Sequence, residues 1–392
     1  MTPRSSGSTI HLVAAEESGD LLGAALVRAL KQRAGAVTFA GVGGPAMAAE
    51  GLPSPFAIDE LSIIGFAAIP RRLPVILRRI RETAAAVVRA RPDVLVIIDS
   101  PDFTHRVARR VRAADPSIPI VDYVSPSVWA WRPSRARTMR AYIDHVLAIL
   151  PFEPAVHAKL GGPPCTYVGH PLSERAGDLR PNEQEAQRRR SDPPVILVLP
   201  GSRAGELDRL LENFHDAIAL TASRVGPLDL VLPTVAHLAE RVRAATAGWS
   251  VRPRIVVEPA EKHAAFRIAR AALAKSGTVT LELAVAGVPM VTAYKASRLE
   301  AFVARRVIRV PSVILANLVL GENVVPEFLQ EACTPDGLAG ALVPLIADGP
   351  ARQRQVEAFA RLDAIMQIGT LVPSTRAAEI VLAAMRRAGE NH

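Results

Sequence analysis

One carboxylate, an acidic turn and an aromatic loop are the first parts of this chain able to do chemistry. Asp99-Ser100-Pro101-Asp102-Phe103 follows the apolar run 94–98. A carboxylate at the carboxyl end of a buried strand stands at the rim of a cleft, where Asp99 can act as a general base toward a hydroxyl. Asp102 reads as the N-cap of the next helix. Glu16-Glu17-Ser18-Gly19-Asp20 opens the first helix and suits hydroxyls or cations rather than phosphate; the other reading is a first turn whose acids complement the helix dipole. Tyr123-Val124-Ser125-Pro126-Ser127-Val128-Trp129-Ala130-Trp131-Arg132 carries two of the three tryptophans. It offers Ser125, Trp129 and Trp131 to a sugar or an acyl chain, or else packs as a compact loop. His170, in Gly169-His170-Pro171, reads as structural.

Two further turns have the chemistry of a phosphate cradle. Leu199-Pro200-Gly201-Ser202-Arg203 ends an apolar run and begins a helix. Gly201 allows close backbone approach, the helix start offers free N–H groups, and Arg203 brings a fork for phosphate oxygens. The plain alternative is a strand-to-helix turn with Ser202 as N-cap. Ser276-Gly277-Thr278 repeats the device, and Glu282 one helical turn later is placed either to accept from ribose hydroxyls or to support the cap. Two such turns point to a nucleoside diphosphate. Neither is a Walker loop, and Gly41-Val42-Gly43-Gly44-Pro45 runs into proline, so a dinucleotide fingerprint is absent.

These groups need strand ends to hold them, and the pattern supplies strands. Short apolar runs at 10–13, 37–41, 94–98, 120–123, 145–149 and 166–168 alternate with helical stretches at 21–33, 74–90, 104–114 and 133–142. After a polar stretch at 175–194, read as a connection, the alternation restarts with strands at 195–199, 228–232, 255–257, 271–275 and 290–294. Fully apolar runs separated by helices indicate parallel sheets with right-handed crossovers. The expected architecture is α/β: two Rossmann-like doubly wound domains facing a cleft, with ligands beyond the strands' carboxyl ends. The expected division is 1–180, 181–352 and a helical tail 353–392 that packs on the first domain or on a partner subunit.

Composition agrees with this class. The 392 residues are 49% hydrophobic and 22% charged, and no apolar run reaches the roughly 18–20 residues of a membrane span. The beginning of the chain lacks a secretory pattern, and Cys165 and Cys333 suggest neither a disulfide framework nor a metal site. The net charge of +9 comes with five lysines among 47 basic residues. Such arginine use suits phosphorylated ligands or an anionic membrane surface. Little aromatic interleaving and no zinc spacing make nucleic acid the weaker partner. The basic, apolar stretch 63–81 reads as an interfacial helix presenting Phe66, Ile69, Leu73, Ile76 and Leu77, or as an ordinary amphipathic helix packed on its own domain.

Taken in order, these segments resemble the lipid-A-disaccharide synthase family. The matching residues are Ala15-Glu16-Glu17-Ser18-Gly19-Asp20-Leu21-Leu22-Gly23, the 41–45 turn with Met47, Pro92-Asp93 through Asp99-Ser100-Pro101-Asp102-Phe103, and the 123–132 loop. Leu150-Pro151-Phe152-Glu153, Gly169-His170-Pro171, Leu199-Pro200-Gly201-Ser202-Arg203 and Ser276-Gly277-Thr278 continue the match. The family resemblance implies a glycosyltransferase B fold. It implies inverting transfer of 2,3-diacylglucosamine from UDP-2,3-diacylglucosamine to 2,3-diacylglucosamine 1-phosphate, without metal or cofactor, at the cytoplasmic face of the inner membrane. It implies Asp99 as base, Arg203 as a donor-phosphate contact and Asn317 near the donor; Glu16, Ser18, Ser125, Trp129 and Trp131 toward substrate, and Gly201, Ser202, Ser276, Gly277, Thr278 and Glu282 toward UDP, are read from the motifs themselves. It also implies a homodimer, with exchanged C-terminal elements as one arrangement. Ala15 and Ala316 depart from the family's glycine and proline. The rival readings are a UDP-sugar transferase with a polyprenyl-linked acceptor, a UDP-sugar epimerase and a non-catalytic binder.

Overall fold

The computed structural model describes residues 8–61, 69–297, 300–302, 306, 310 and 312–390. Two compact units arise, one from residues 1–173 with 369–392, the other from 174–368. Each holds a six-stranded parallel sheet.

The first sheet comprises β1 (Ser8–Ala14), β2 (Val37–Val42), β3 (Val94–Ile98), β4 (Ile120–Tyr123), β5 (His145–Ala148) and β6 (Cys165–Tyr167), in the order β2-β1-β3-β4-β5-β6. The second comprises β7 (Val195–Leu199), β8 (Asp229–Pro233), β9 (Arg254–Val256), β10 (Ala271–Lys275), β11 (Met290–Tyr294) and β12 (Glu327–Leu329), in the order β12-β11-β10-β7-β8-β9. The register is parallel throughout, with Ile10 opposite Val94 and Ala271 opposite Ile196. In both sheets the winding direction reverses once, between β1 and β3 and between β7 and β10. Such a reversal leaves a crevice beyond the carboxyl ends, because the two flanking crossovers leave on opposite faces.

Burial on both faces explains the continuous apolar strands. Ile10, Leu12 and Ala14 face the helix Glu17–Arg33, while Val13, Leu95 and Ile97 face the side covered by Ile80, Val87 and Val107. The C-terminal helix Pro373–Glu390 returns to the first unit, where Ala377, Ala378 and Val381 join Leu26 and Leu30. The tail expected over 353–392 therefore divides: the helices Pro350–Ala360 and Leu362–Met366 stay with the second unit.

The polar stretch read as a connection is also structured. Asn182 and Glu185 form a capping box for the helix Glu183–Arg190. From that helix the Arg189 guanidinium donates to the carbonyls of Phe266, Arg267, Ala286 and Gly287, tying the stretch to the second unit. Among the described residues no helix is long and apolar enough to cross a membrane.

Candidate active site

In the first unit the reversal between β1 and β3 brings Ser18 and Asp99 together. The backbone N–H of Asp99 donates to Tyr123 O at 3.0 Å, continuing the ladder past β3. The chain then turns through left-handed conformations at Asp99 (φ 52°) and Ser100 (φ 46°). Two consecutive non-glycine residues there store roughly 1–3 kcal/mol each, a cost seen mostly at functional sites. The turn aims the carboxylate back at its own loop: Oδ1 accepts from Ser100 N at 2.7 Å and Oδ2 from the Ser18 hydroxyl at 3.1 Å. Thr104 Oγ1 donates to Asp99 O at 2.6 Å and fixes the backbone. β4 ends in the same way, with Val124 at φ 84°.

The acidic turn splits by role. A Cβ at Gly19 would stand 3.2 Å from Ile98 O and 3.3 Å from Ala14 Cβ, so glycine lets the helix start close against β3 and deliver Ser18. Asp20 is buried and caps the helix Pro45–Ala49, accepting from Gly44 N, Ala46 N and Met47 N at 2.8–2.9 Å. The glycine turn at 41–45 thus serves this cap, since a Cβ at Gly44 would lie 2.5 Å from Asp20 Oδ2. Glu16 is exposed and its side chain caps nothing.

The aromatic loop is partly structural. Ser125 is buried, donates to Pro126 O and pairs with His157 Nε2 at 2.8 Å, so in this structure it holds the loop. Trp129 donates its indole N–H to Glu153 Oε1 at 3.2 Å and meets Phe152 edge-on, which makes it a strut of the loop as well. Burial pushes the Glu153 carboxyl up to about 7. Trp131 is 36% exposed, with the Arg132 guanidinium 4.4 Å over its ring, and is the aromatic group left for a ligand. Asp102 caps no helix; Ser100 holds the N-cap position, and Asp102 pairs with Arg135 at 3.4 Å. His170 accepts from Leu172 N, in keeping with a structural histidine.

In the second unit the reversal between β7 and β10 forms a pocket of about 450 Å³. Gly201, Ser202 and Arg203 line it from β7, Gly277, Thr278 and Glu282 from β10, and Pro233-Thr234-Val235 from β8. Gly201 has φ 121°, and a Cβ there would strike Glu206 Oε2 at 2.3 Å. Ser202 is not the N-cap; Arg203 is, and its side chain is 83% exposed. The Ser202 N–H already carries a carboxylate, Glu206 Oε2 at 3.1 Å. Glu206 Oε1 also meets Lys275 Nζ at 3.0 Å, and Glu282 pairs with Lys262 at 2.6 Å. The loop therefore binds an anion in the resting protein, and that anion is its own.

Lys262, Lys275 and Glu206 belong to the pocket and were not singled out from the sequence. The signal was present: two of only five lysines, one of them directly before Ser276-Gly277-Thr278. Two expected contacts fall outside the wall. Ser276 is buried and does not line the pocket. Asn317 is 2% exposed; its Oδ1 accepts from Val324 N and Val325 N and its Nδ2 donates to Val325 O, so it pins that turn.

A sequence model of the family described as lipid-A-disaccharide synthetase matches residues 10–381. The chain belongs to the lipid-A-disaccharide synthetase family. It is 62% identical to the lipid-A-disaccharide synthase of Nitrobacter hamburgensis, covering 98% of this chain and 97% of the relative. It is 63% identical to that of Bradyrhizobium diazoefficiens, over 96% and 97%. Among solved structures it is similar to Acinetobacter baumannii MurG, at 16% identity, TM-score 0.59 and coverage of 96% and 99%. It is also similar to a Neisseria meningitidis UDP-GlcNAc 2-epimerase bound to UDP-GlcNAc, at 10% identity, TM-score 0.55 and coverage of 97% and 100%. These likenesses show the two-Rossmann-domain fold of B-type glycosyltransferases. They do not separate transferase from epimerase; the family membership does, and it makes the chain a glycosyltransferase.

Proposed function

We propose that this synthetase-family chain transfers 2,3-diacylglucosamine from UDP-2,3-diacylglucosamine to the C6 hydroxyl of 2,3-diacylglucosamine 1-phosphate, forming the β-1,6-linked disaccharide and UDP. The observation that carries the reading is the 62% identity over 98% of the chain to a protein named lipid-A-disaccharide synthase.

The geometry supports each step. Asp99 removes the hydroxyl proton as the oxygen attacks the anomeric carbon, and the anomeric carbon–diphosphate bond breaks with inversion. Ser18 and Ser100 N orient the carboxylate, and each oxygen keeps a lone pair for the incoming proton. The leaving diphosphate gains charge in the transition state. Arg203, Lys262 and Lys275 meet that charge, with the Ser202 N–H released as Glu206 withdraws. Glu16, Trp131 and Glu282 are assigned to sugar hydroxyls and faces.

Acyl-bearing substrates call for a membrane surface. The helix Ile69–Ala90 carries Leu73 at 43% exposure beside exposed Arg72 and Arg78. Phe66 lies outside the described residues, and for Ile69 only the backbone is described. Ile76 and Leu77 are half-buried against their own core, which limits the contact expected of them. Anionic lipid at the cytoplasmic leaflet fits the arginines.

The test is acceptor dependence. UDP release from UDP-2,3-diacylglucosamine should require 2,3-diacylglucosamine 1-phosphate. A C2-epimerised donor without acceptor, or equal turnover with a polyprenyl-linked sugar, would overturn the reading.

A further inference from the structure

The pocket between β7 and β10 is lined by three cations, and each already has a carboxylate. Lys262 pairs with Glu282 at 2.6 Å. Lys275 Nζ pairs with Glu206 Oε1 at 3.0 Å, and Arg203 stands 3.8 Å from the same oxygen. Of the two carboxylates, Glu206 is the one inside the cradle. It lies in the first turn of the helix Ala204–Val225, and its side chain folds back over Gly201. A Cβ at Gly201 would stand 2.8 Å from Glu206 Cβ as well as 2.3 Å from Oε2. Glycine is therefore required at 201 by the protein's own carboxylate, before any ligand arrives.

This contact is not the reciprocal cap of a helix start. A glutamate at the third helical position normally accepts from the N-cap N–H while the N-cap side chain accepts in return. Here the N-cap residue Arg203 makes no side-chain cap, and Glu206 reaches one residue further, to Ser202 N at 3.1 Å. The Glu206 and Lys275 side chains are only 13% and 17% exposed, so water screens them weakly. A diphosphate and a carboxylate that claim the same N–H and the same ammonium in such a place repel each other strongly. Lys275 does not depend on Glu206 alone for its position. Its Nζ also lies 5.4 Å from the centre of the Tyr294 ring, on the neighbouring strand β11. The exposed Arg203 side chain offers the displaced carboxylate a partner in solvent.

We propose that Glu206 is an internal competitor for the diphosphate. It keeps the cradle assembled in the empty protein and gives way when the donor binds, and its return helps to expel the nucleoside diphosphate product. The identity of that ligand rests on the proposed function; the competition between two anions rests on the distances in the pocket.

UDP and inorganic pyrophosphate are titrated calorimetrically into the wild type and into Glu206→Gln, which keeps the shape and removes the charge. The variant should bind both about tenfold more tightly, and should release UDP correspondingly more slowly in a stopped-flow chase. Loss of a merely structural contact would weaken binding, so unchanged or weaker affinity overturns the competition. The wild type supplies a second measurement that no folding defect can blur. In its crystal structure with UDP, the Glu206 carboxylate should have left Ser202 N; UDP in the pocket with Glu206 Oε2 still on that N–H overturns the proposal as well. Disaccharide synthesis by the wild type is scored in parallel. Tighter pyrophosphate binding by the variant without synthesis refutes the proposed function and leaves the competition standing. Synthesis with unchanged UDP affinity does the reverse, and no binding of either anion to either protein overturns both.

Discussion

Asp99 and Glu153 are both carboxylates near the aromatic loop, and their surroundings set them apart. Asp99 sits half-exposed on a strained turn, with Ser100 N and the Ser18 hydroxyl donating to its oxygens. Glu153 is buried, and desolvation raises it from 4.5 to about 7 despite bonds from Leu150 N and Trp129 Nε1. The folded state thus holds that proton where the unfolded chain has lost it. The stability it confers is complete below pH 4.5 and is lost as pH rises through 7. Between pH 5 and 8 the wild type should lose about 3 kcal/mol relative to Glu153→Gln. Tryptophan emission should titrate near pH 7 in the wild type and be flat in the variant. A titration that persists in Glu153→Gln would assign it to another group.

At the scale of elements, a helix start and a glycine turn are joined by one side chain. Asp20 satisfies three backbone N–H groups with its two oxygens, and the helix Pro45–Ala49 has no other side-chain cap. Asp20→Ala should cost about 3 kcal/mol by chemical denaturation, since charge-assisted bonds to buried donors are worth ~1.5–3 kcal/mol. A loss below 1 kcal/mol would mean that water replaces the carboxylate. The strands were readable because both sheet faces are covered, leaving unbroken apolar runs rich in β-branched residues, such as Val94–Ile98. β12 was not found, because a three-residue edge strand beginning with Glu327 carries no such run. The helix Glu183–Arg190 was missed although Asn182 and Glu185 have capping-box spacing; its polar surface hid it. Asp99, Gly201 and Thr278 stood out locally, as groups at strand ends. Glu206 with Lys275, or Ser18 with Asp99, depends on which strands are neighbours, and strand order is not written in the alternation of elements. The partners of Ser125 and Asn317 were hidden for a related reason: a buried hydrogen-bonding side chain and a ligand-binding one look alike until their neighbours are placed.

On the scale of the whole molecule, each sheet reverses its winding once, and each reversal gathers candidate groups: the Asp99 carboxylate in the first unit and a pocket lined by Arg203, Lys262 and Lys275 in the second. The excess of arginine suits an enzyme whose substrates are phosphorylated, and the proposed membrane contact is tested on the helix Ile69–Ala90. Leu73→Ser should reduce co-sedimentation with phosphatidylglycerol vesicles severalfold while leaving the thermal midpoint unchanged; undiminished co-sedimentation would remove this helix from the membrane contact. The central claim is that one carboxylate drives sugar transfer from a UDP donor. The direct measurement is disaccharide formation from UDP-2,3-diacylglucosamine and 2,3-diacylglucosamine 1-phosphate, followed by mass spectrometry for the wild type and for Asp99→Asn. The account predicts product from the wild type and a kcat lower by about 10²–10⁴-fold in a variant that still binds UDP normally. Equal rates from both proteins, or no disaccharide from the wild type, would contradict it.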